Sequence, residues 1–323
     1  LTEPIFLEPV FHEKIWGGRK LATDFGYTLP EGKIGELWAI SAHPNGPDVI
    51  ANGPLAGTTL DVAWRDHQDY FGHQKSKVFP LLTKILDAND SLSVQVHPDD
   101  AYAAAHERPG ELGKTECWYV ISAEPGSYLI YGHHAKTREE LADMIHKGDW
   151  DHLLRKVPVK TGDFVYVPSG TIHALNKGIM VLETQQSSDT TYRLYDYDRT
   201  DADGNKRELH LQQSIETTNV PSVDPQLDIQ TVKQDDATIT TFVTAPISKF
   251  FSVYKIELNG HLDQTATAPY TLVSVLAGDG QIIADGESYP LQKGVHFIIP
   301  NQIKSWRFTG KMTLITSTPG AEA

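Results

Sequence analysis

Short apolar runs, each closed by Gly, Pro, Asn or Asp, dominate this chain. Glu36–Ser41, Cys117–Ser122, Tyr128–Tyr131, Asp163–Val167 and Ile179–Glu183 are early examples. Phe251–Ile256, Thr271–Leu276, His296–Ile299 and Met312–Ile315 follow. Runs this short and this regularly punctuated predict the strands of a β-sandwich or barrel. Helical spacing is confined to three places. Thr59–Phe71 carries apolar residues at helical intervals, with Thr59 as its cap. Asp99–Glu107 is Ala-rich and begins with acids that suit a helix N-terminus. Thr137-Arg-Glu-Glu140 matches a capping box, and Leu141, Met144 and Ile145 then share one face.

The punctuation repeats. Gly162, Pro168 and Gly178 recur 132 positions later as Gly294, Pro300 and Gly310. Upstream, Gly126 and Gly132 recur 154 positions later as Gly280 and Gly286. The 22-residue difference matches the size of the helical segment 136–157. The pattern predicts a mainly β chain of two related units, 1–218 with a small helical insert at 136–157, and 219–323. Thr218–Thr238, polar and containing Pro221 and Pro225, reads as the connection.

Composition narrows the function. Among 323 residues, 28 Lys and Arg face 42 Asp and Glu, a net charge of −14. That balance argues against nucleic acid and anionic membrane as partners. An anionic small substrate would require positive charge gathered in one cavity. A lone cysteine, Cys117, excludes a disulfide framework and a Cys-rich zinc module. No window approaches the roughly 18 apolar residues of a membrane span, and Leu1–Val10 has two acids and no basic start. The expected location is the cytoplasm.

Three places carry metal chemistry. In Gln95-Val-His-Pro98 an extended strand would aim Gln95 and His97 to one side, and Pro98 would end it. Glu116 opens the run Glu116-Cys-Trp-Tyr-Val120. Gly162-Asp-Phe-Val-Tyr-Val-Pro168-Ser-Gly-Thr-Ile-His173 is a strand and turn that deliver His173 to the next strand. Two imidazoles, a carboxylate and an amide oxygen suit a divalent ion such as zinc. At the repeat offsets His173 corresponds to Ser305 and Glu116 to Tyr270, so the second unit keeps the scaffold without the ligands.

The segment Gly162–His173 resembles the second cupin motif, with the usual following Asn one place early at Asn176. A wider set is similar to type I mannose-6-phosphate isomerases in their short Gram-positive form. It comprises Lys14-Ile-Trp-Gly-Gly18, Gly35-Glu-Leu-Trp-Ala-Ile-Ser41, Gln95–Pro98, Lys114-Thr-Glu116, Pro168–His173 and Thr191–Arg199, in family order. The resemblance implies two cupin-like jelly-roll units, one zinc ion per chain held by Gln95, His97, Glu116 and His173, and Arg193 as the catalytic arginine. It also implies a sugar-phosphate substrate isomerised through a cis-enediol. Longer members carry His-Lys-Pro-Glu where this chain has Gly113-Lys-Thr-Glu116, so the role of that His does not transfer.

Lys114 would share the strand face of Glu116, or else be a solvated lysine. Glu183, ending four apolar residues, is the candidate base, against an exposed strand-end carboxylate or a water on the metal. Arg193 could instead belong to a salt bridge among Asp196, Asp198 and Arg199; Asp196, Asp198 and the tyrosines between them alternate as in a strand and suggest a wall behind Arg193. His133-His134 reads as loop surface, and Gly17-Gly18 as a turn. A metal-dependent cupin dioxygenase and a non-catalytic sugar-phosphate sensor are the other functions this scaffold allows. A monomer or weak homo-oligomer is expected.

Overall fold

The computed structural model describes residues 2–323 and is built from three antiparallel sheets with few helices. Six strands, in the order 164–167, 116–123, 179–186, 81–88, 34–40 and 10–18, form the first. Five form the second: 192–195, 94–96, 173–175, 128–133 and 154–158. Nine form the third, which takes in every strand beyond residue 229 together with Ile5–Glu8 and Val49–Ile50. The β-rich expectation holds.

Alternation decides which side chains meet. In Leu81–Ala88, Leu86 and Ala88 pack between the first two sheets, while Leu81 and Ile85 pack outward. In Ile179–Gln186, Ile179 and Val181 face inward and Met180 and Leu182 outward. Trp118 and Val120 face inward and Cys117 outward, so Cys117 lies in the core on the side opposite Glu116. A period of two carries Lys84, Glu183 and Glu116 onto the inward face. The outer face of the five-stranded sheet is closed by Leu141, Ile145, Leu153 and Ile215 from helical segments.

The three helical expectations each find a helix. Leu60–Asp66 continues into a 3₁₀ turn at Gln68–Phe71. Asp99 caps Asp100–His106 by accepting from the Tyr102 N–H. Thr137 caps Arg138–Lys147 by accepting from the Glu140 N–H at 3.1 Å, an interaction worth about 1 kcal/mol. The insert is not helical throughout, however. Helix 138–147 stops at Gly148 in the left-handed region, and Leu154–Pro158 is a strand paired with Tyr128–His133. The expected connection also gains a strand: Gln230–Gln234 turns at Asp235 and pairs with Ala237–Val243.

Strand pairing repeats between the two halves. Glu116–Ala123 pairs with 164–167 and 179–186, as the first half of Thr271–Ala284 pairs with 296–299 and the second half of Ser305–Pro319. Where the first half turns at Gly178, the second runs on as one long bent strand through Gly310 at φ 126°. Gly310 faces Gly280 there, and a Cβ on Gly310 would lie 2.5 Å from the Asp279 carbonyl oxygen. These glycines therefore permit two backbones to cross closely. The interior of this half is apolar, filled by Ile256, Val273, Phe297, Phe308 and Leu314.

The two halves share a core. Tyr270 packs among Trp64, Phe71 and Phe79, and Ile5–Glu8 crosses to pair with His296–Ile299. At the same seam His296 is fully buried, 2.8 Å from Ser274 Oγ and 3.0 Å from the Tyr27 hydroxyl. Tyr27 donates to the Gly294 carbonyl, so it accepts from His296 Nε2–H, and Nδ1 accepts from Ser274. The ring is neutral, and burial pushes its pKa down to about 3.

Above about pH 6.5 His296 is neutral in both folded and unfolded chains. Below it, only the unfolded chain gains the proton, and the fold loses about 1.4 kcal/mol per pH unit until about pH 3. Urea melts of a His296→Gln variant should therefore show a shallower loss of stability between pH 6 and 4, by about that slope. Parallel pH profiles for the two proteins would refute this account.

Candidate metal centre and catalytic cavity

Sheet order brings together residues far apart in sequence. In the five-stranded sheet, Gln95 is opposite Arg193 on one side and His173 on the other, forming one cross-strand row. His97 follows where strand 94–96 ends. Facing this row from the six-stranded sheet are Glu116, Lys84 and Glu183, with Lys114 at the entry to strand 116–123. All of them line one cavity, together with Lys14, Glu36, Ser93, Asp189 and Arg207.

His97 Nδ1 lies 2.8 Å from the Thr190 carbonyl and His173 Nδ1 2.8 Å from the Thr171 carbonyl. A carbonyl only accepts, so each ring carries its proton on Nδ1 and turns the Nε2 lone pair into the cavity. Nε2 of His173 and of His97 lie 3.0 and 3.5 Å from Glu116 Oε1. Both imidazoles and the carboxylate are buried, and their donor atoms lie within 4.8 Å of one another. Three lone-pair donors converging in this way fit a divalent borderline ion. Gln95 Nε2 donates to the Ser93 carbonyl at 3.1 Å, which fixes the amide beside this set.

Charge is concentrated here. The Lys114 ammonium contacts the Glu116 carboxylate and lies 3.3 Å from His97 Nε2 and 3.6 Å from Glu183 Oε1. Burial opposes the Glu116 charge, but Lys114 and then His97 hold its pKa well below the carboxylate range. Burial, then Lys114, pushes His97 down to about 3. For Lys114, burial is outweighed by Glu116 and Glu183, which raise its pKa. Burial and the Glu116 charge raise Glu183 to about 7. Its Oε2 accepts from the Trp118 indole N–H at 2.7 Å.

Comparison with known proteins places the whole chain. Residues 5–148 match the family model for the catalytic domain of type I phosphomannose isomerase, and residues 238–319 that for the mannose-6-phosphate isomerase cupin domain. The chain is 56% identical over 321 residues to mannose-6-phosphate isomerase of Streptococcus mutans, covering 98% of each. The chain belongs to the type I phosphomannose isomerase family. It is 51% identical to mannose-6-phosphate isomerase ManA of Bacillus subtilis, covering 98% of this chain and 99% of that one. A crystal structure of a Bacillus subtilis mannose 6-phosphate isomerase superposes with a TM-score of 0.94 at 50% identity, covering 98% of this chain and 99% of that chain. Phosphomannose isomerase from Salmonella typhimurium, in a mutant form at 14% identity, shares the fold at a TM-score of 0.78.

Within this family member, Glu183 is not at a strand end. Its strand runs to Gln186 and Glu183 is 3% exposed. Lys114 is likewise buried rather than solvated. Arg193 does not join the alternative salt bridge. Arg199 and Arg207 occupy Asp196, while Arg193 bonds Ser93 Oγ at 3.2 Å and the Glu208 carbonyl at 2.8 Å. The expected strand wall ends at Tyr195, because Tyr197 and Asp198 take left-handed conformations and turn the chain. His133 is buried, its Nε2 against the Asn219 carbonyl at 2.7 Å; only His134 is loop surface. Gly17 and Gly18 lie in strand Val10–Gly18, where a Cβ on Gly17 would come 2.4 Å from Gly35 N.

Sequence reasoning missed Lys84, Glu36 and Arg207. Lys84 is 3% exposed, 3.2 Å from Glu36 Oε1 and 4.6 Å over the Trp38 ring. Its signal was present: a lysine within the apolar run Leu81–Ala88, two residues from Leu86. Arg207 lies in an irregular loop and carried no such signal.

The donor geometry predicts a simple contrast. His173→Ala should weaken zinc binding by more than about 100-fold in chelator competition. Ser305→Ala, at an exposed position in the apolar half, should leave affinity unchanged. Equal affinity in the wild type and His173→Ala would remove His173 from the ligand set.

Proposed function

We propose that this chain interconverts mannose 6-phosphate and fructose 6-phosphate as a zinc-dependent aldose–ketose isomerase. The supporting observation is that the lone-pair donors, a carboxylate with a pKa near 7 and several buried cations share one cavity in a member of this family. Gln95, His97, Glu116 and His173 would hold the ion, which when bound supplies positive charge to the substrate oxygens at C1 and C2.

The reaction moves one proton between C2 and C1 and one between the oxygens they carry, through a cis-enediol. Glu183 suits the base role, since a pKa near 7 leaves it able both to take and to return a proton. The Trp118 N–H fixes one carboxylate oxygen, and Glu183 Oε1 lies 3.6 Å from Lys114. Lys114 places permanent charge near the oxygens whose negative charge grows. Arg193 stands two strands from His173, roughly 10 Å away at the usual strand spacing. Its guanidinium can hold the phosphate dianion away from the metal donors. Gln95 in place of the first His of a His-any-His pair, together with the family of this chain, favours isomerisation over oxygenation.

We read residues 1–218 as the catalytic unit and 219–323 as its support, working in the cytoplasm as a monomer or weak homo-oligomer. A coupled assay should show isomerisation lost on chelation and restored by zinc, with the C2 proton of mannose 6-phosphate exchanging into solvent. Metal-loaded protein that exchanges no proton would end this reading. Glu183→Gln keeps the size of the side chain and removes the base. It should slow exchange by about 10²–10⁴-fold. Arg193→Ala should lower kcat/KM by at least about 100-fold while zinc stays bound; activity within threefold of wild type would exclude Arg193.

A further inference from the structure

A second cavity, of about 280 Å³, lies where helix Arg138–Lys147 and Trp150 meet strand Tyr192–Tyr195 and the loop beyond it. That volume is at the small end for ligand sites. Its lining includes an aromatic pair, Trp150 stacked on Tyr195 at 4.7 Å and 26°. Its lining carries four cations, Lys147, Arg199, Lys206 and Arg207, against two acids, Asp196 and Asp198. The local balance is therefore 4 − 2 = +2, in a chain of net charge −14. Asp196 is committed to both guanidiniums, 2.7 Å from Arg207 and 2.9 Å from Arg199. Asp198, highly exposed, is 3.5 Å from Lys206, and Lys147 is 2.9 Å from Asp143. The two lysine pairs are exposed, and such surface pairs yield readily to a dianion; Arg207 gives Asp196 its Nε and Nη2, which leaves Nη1 for a ligand.

Arg207 also lines the catalytic cavity. The geometry points to a second binding site for a small organic anion with a planar ring, the ring against Trp150 and its phosphate or carboxylate on Lys206 and Arg207. Because Arg207 is a wall of both cavities, this ligand and the sugar phosphate draw on one guanidinium. Each then weakens the other by the same factor. The binding claim stands apart from the isomerase reading; only its kinetic consequence rests on that reading.

Phenyl phosphate is a suitable probe, with inorganic phosphate and benzyl alcohol as controls for head group and ring. Calorimetry on zinc-loaded protein should show phenyl phosphate binding at least about tenfold tighter than either control. Trp150→Ala and the exposed-loop variant Lys206→Glu should each weaken it about tenfold or more, with basal isomerisation unchanged. In wild type the probe should raise the KM for mannose 6-phosphate, and Lys206→Glu should abolish that rise. No preference for phenyl phosphate, or binding that survives both substitutions, overturns the site. A KM rise that persists in Lys206→Glu places the probe in the catalytic cavity and also overturns it.

Discussion

Four almost fully buried ionisable groups, Lys84, Lys114, Glu116 and Glu183, line the polar cavity between two sheets that are otherwise packed on apolar residues, and the site depends on keeping them compensated. Each such ion alone costs several kcal/mol to remove from water. Lys114 answers Glu116 and Glu183, while Glu36 answers Lys84. These pairs tie neighbouring strands of the six-stranded sheet together, and the packing of Leu86, Trp118 and Val181 against Leu175 joins the second sheet to it. The same compensation leaves Glu183 near neutrality while Glu116 stays ionised, because Lys114 lies against Glu116 and farther from Glu183. Two carboxylates in one cavity thereby acquire opposite pKa shifts.

The second half shows what this frame becomes without the charges. Its strands pair as those of the first half do, yet its interior is Ile, Val, Leu and Phe, and its consecutive strands fuse through Gly310 into long bent ribbons. An apolar core needs no particular partner at each position. A polar cavity does, and the first half keeps separate short strands whose ends place His97 and Lys114. The shared core around Tyr270 and His296 joins the halves.

The acids that open helix Asp100–His106, the cap at Thr137, the strand runs, and the spacing from Gln95 to His97 were legible in sequence because they are local: a period of two or a four-residue cap needs no distant partner. Alternation alone carried Cys117 away from Glu116, and it would equally have carried Lys84 inward. The interval from Leu154 to Pro158 was misjudged because its strand exists only by pairing with Tyr128–His133. At Gly17 and Gly18 a close strand crossing leaves the same glycine signature as a turn.

The sequence by itself determined the β class, the repeated scaffold and the residue types able to bind a metal, since these follow from periodicity and donor chemistry. Tertiary structure decided their arrangement. Arg193, Gln95 and His173 become neighbours because strands 192–195, 94–96 and 173–175 pair out of chain order. Arg193 is available to the cavity because Arg199 and Arg207 occupy Asp196. Which of several nearby cations a single carboxylate captures depends on distances that no spacing along the chain contains.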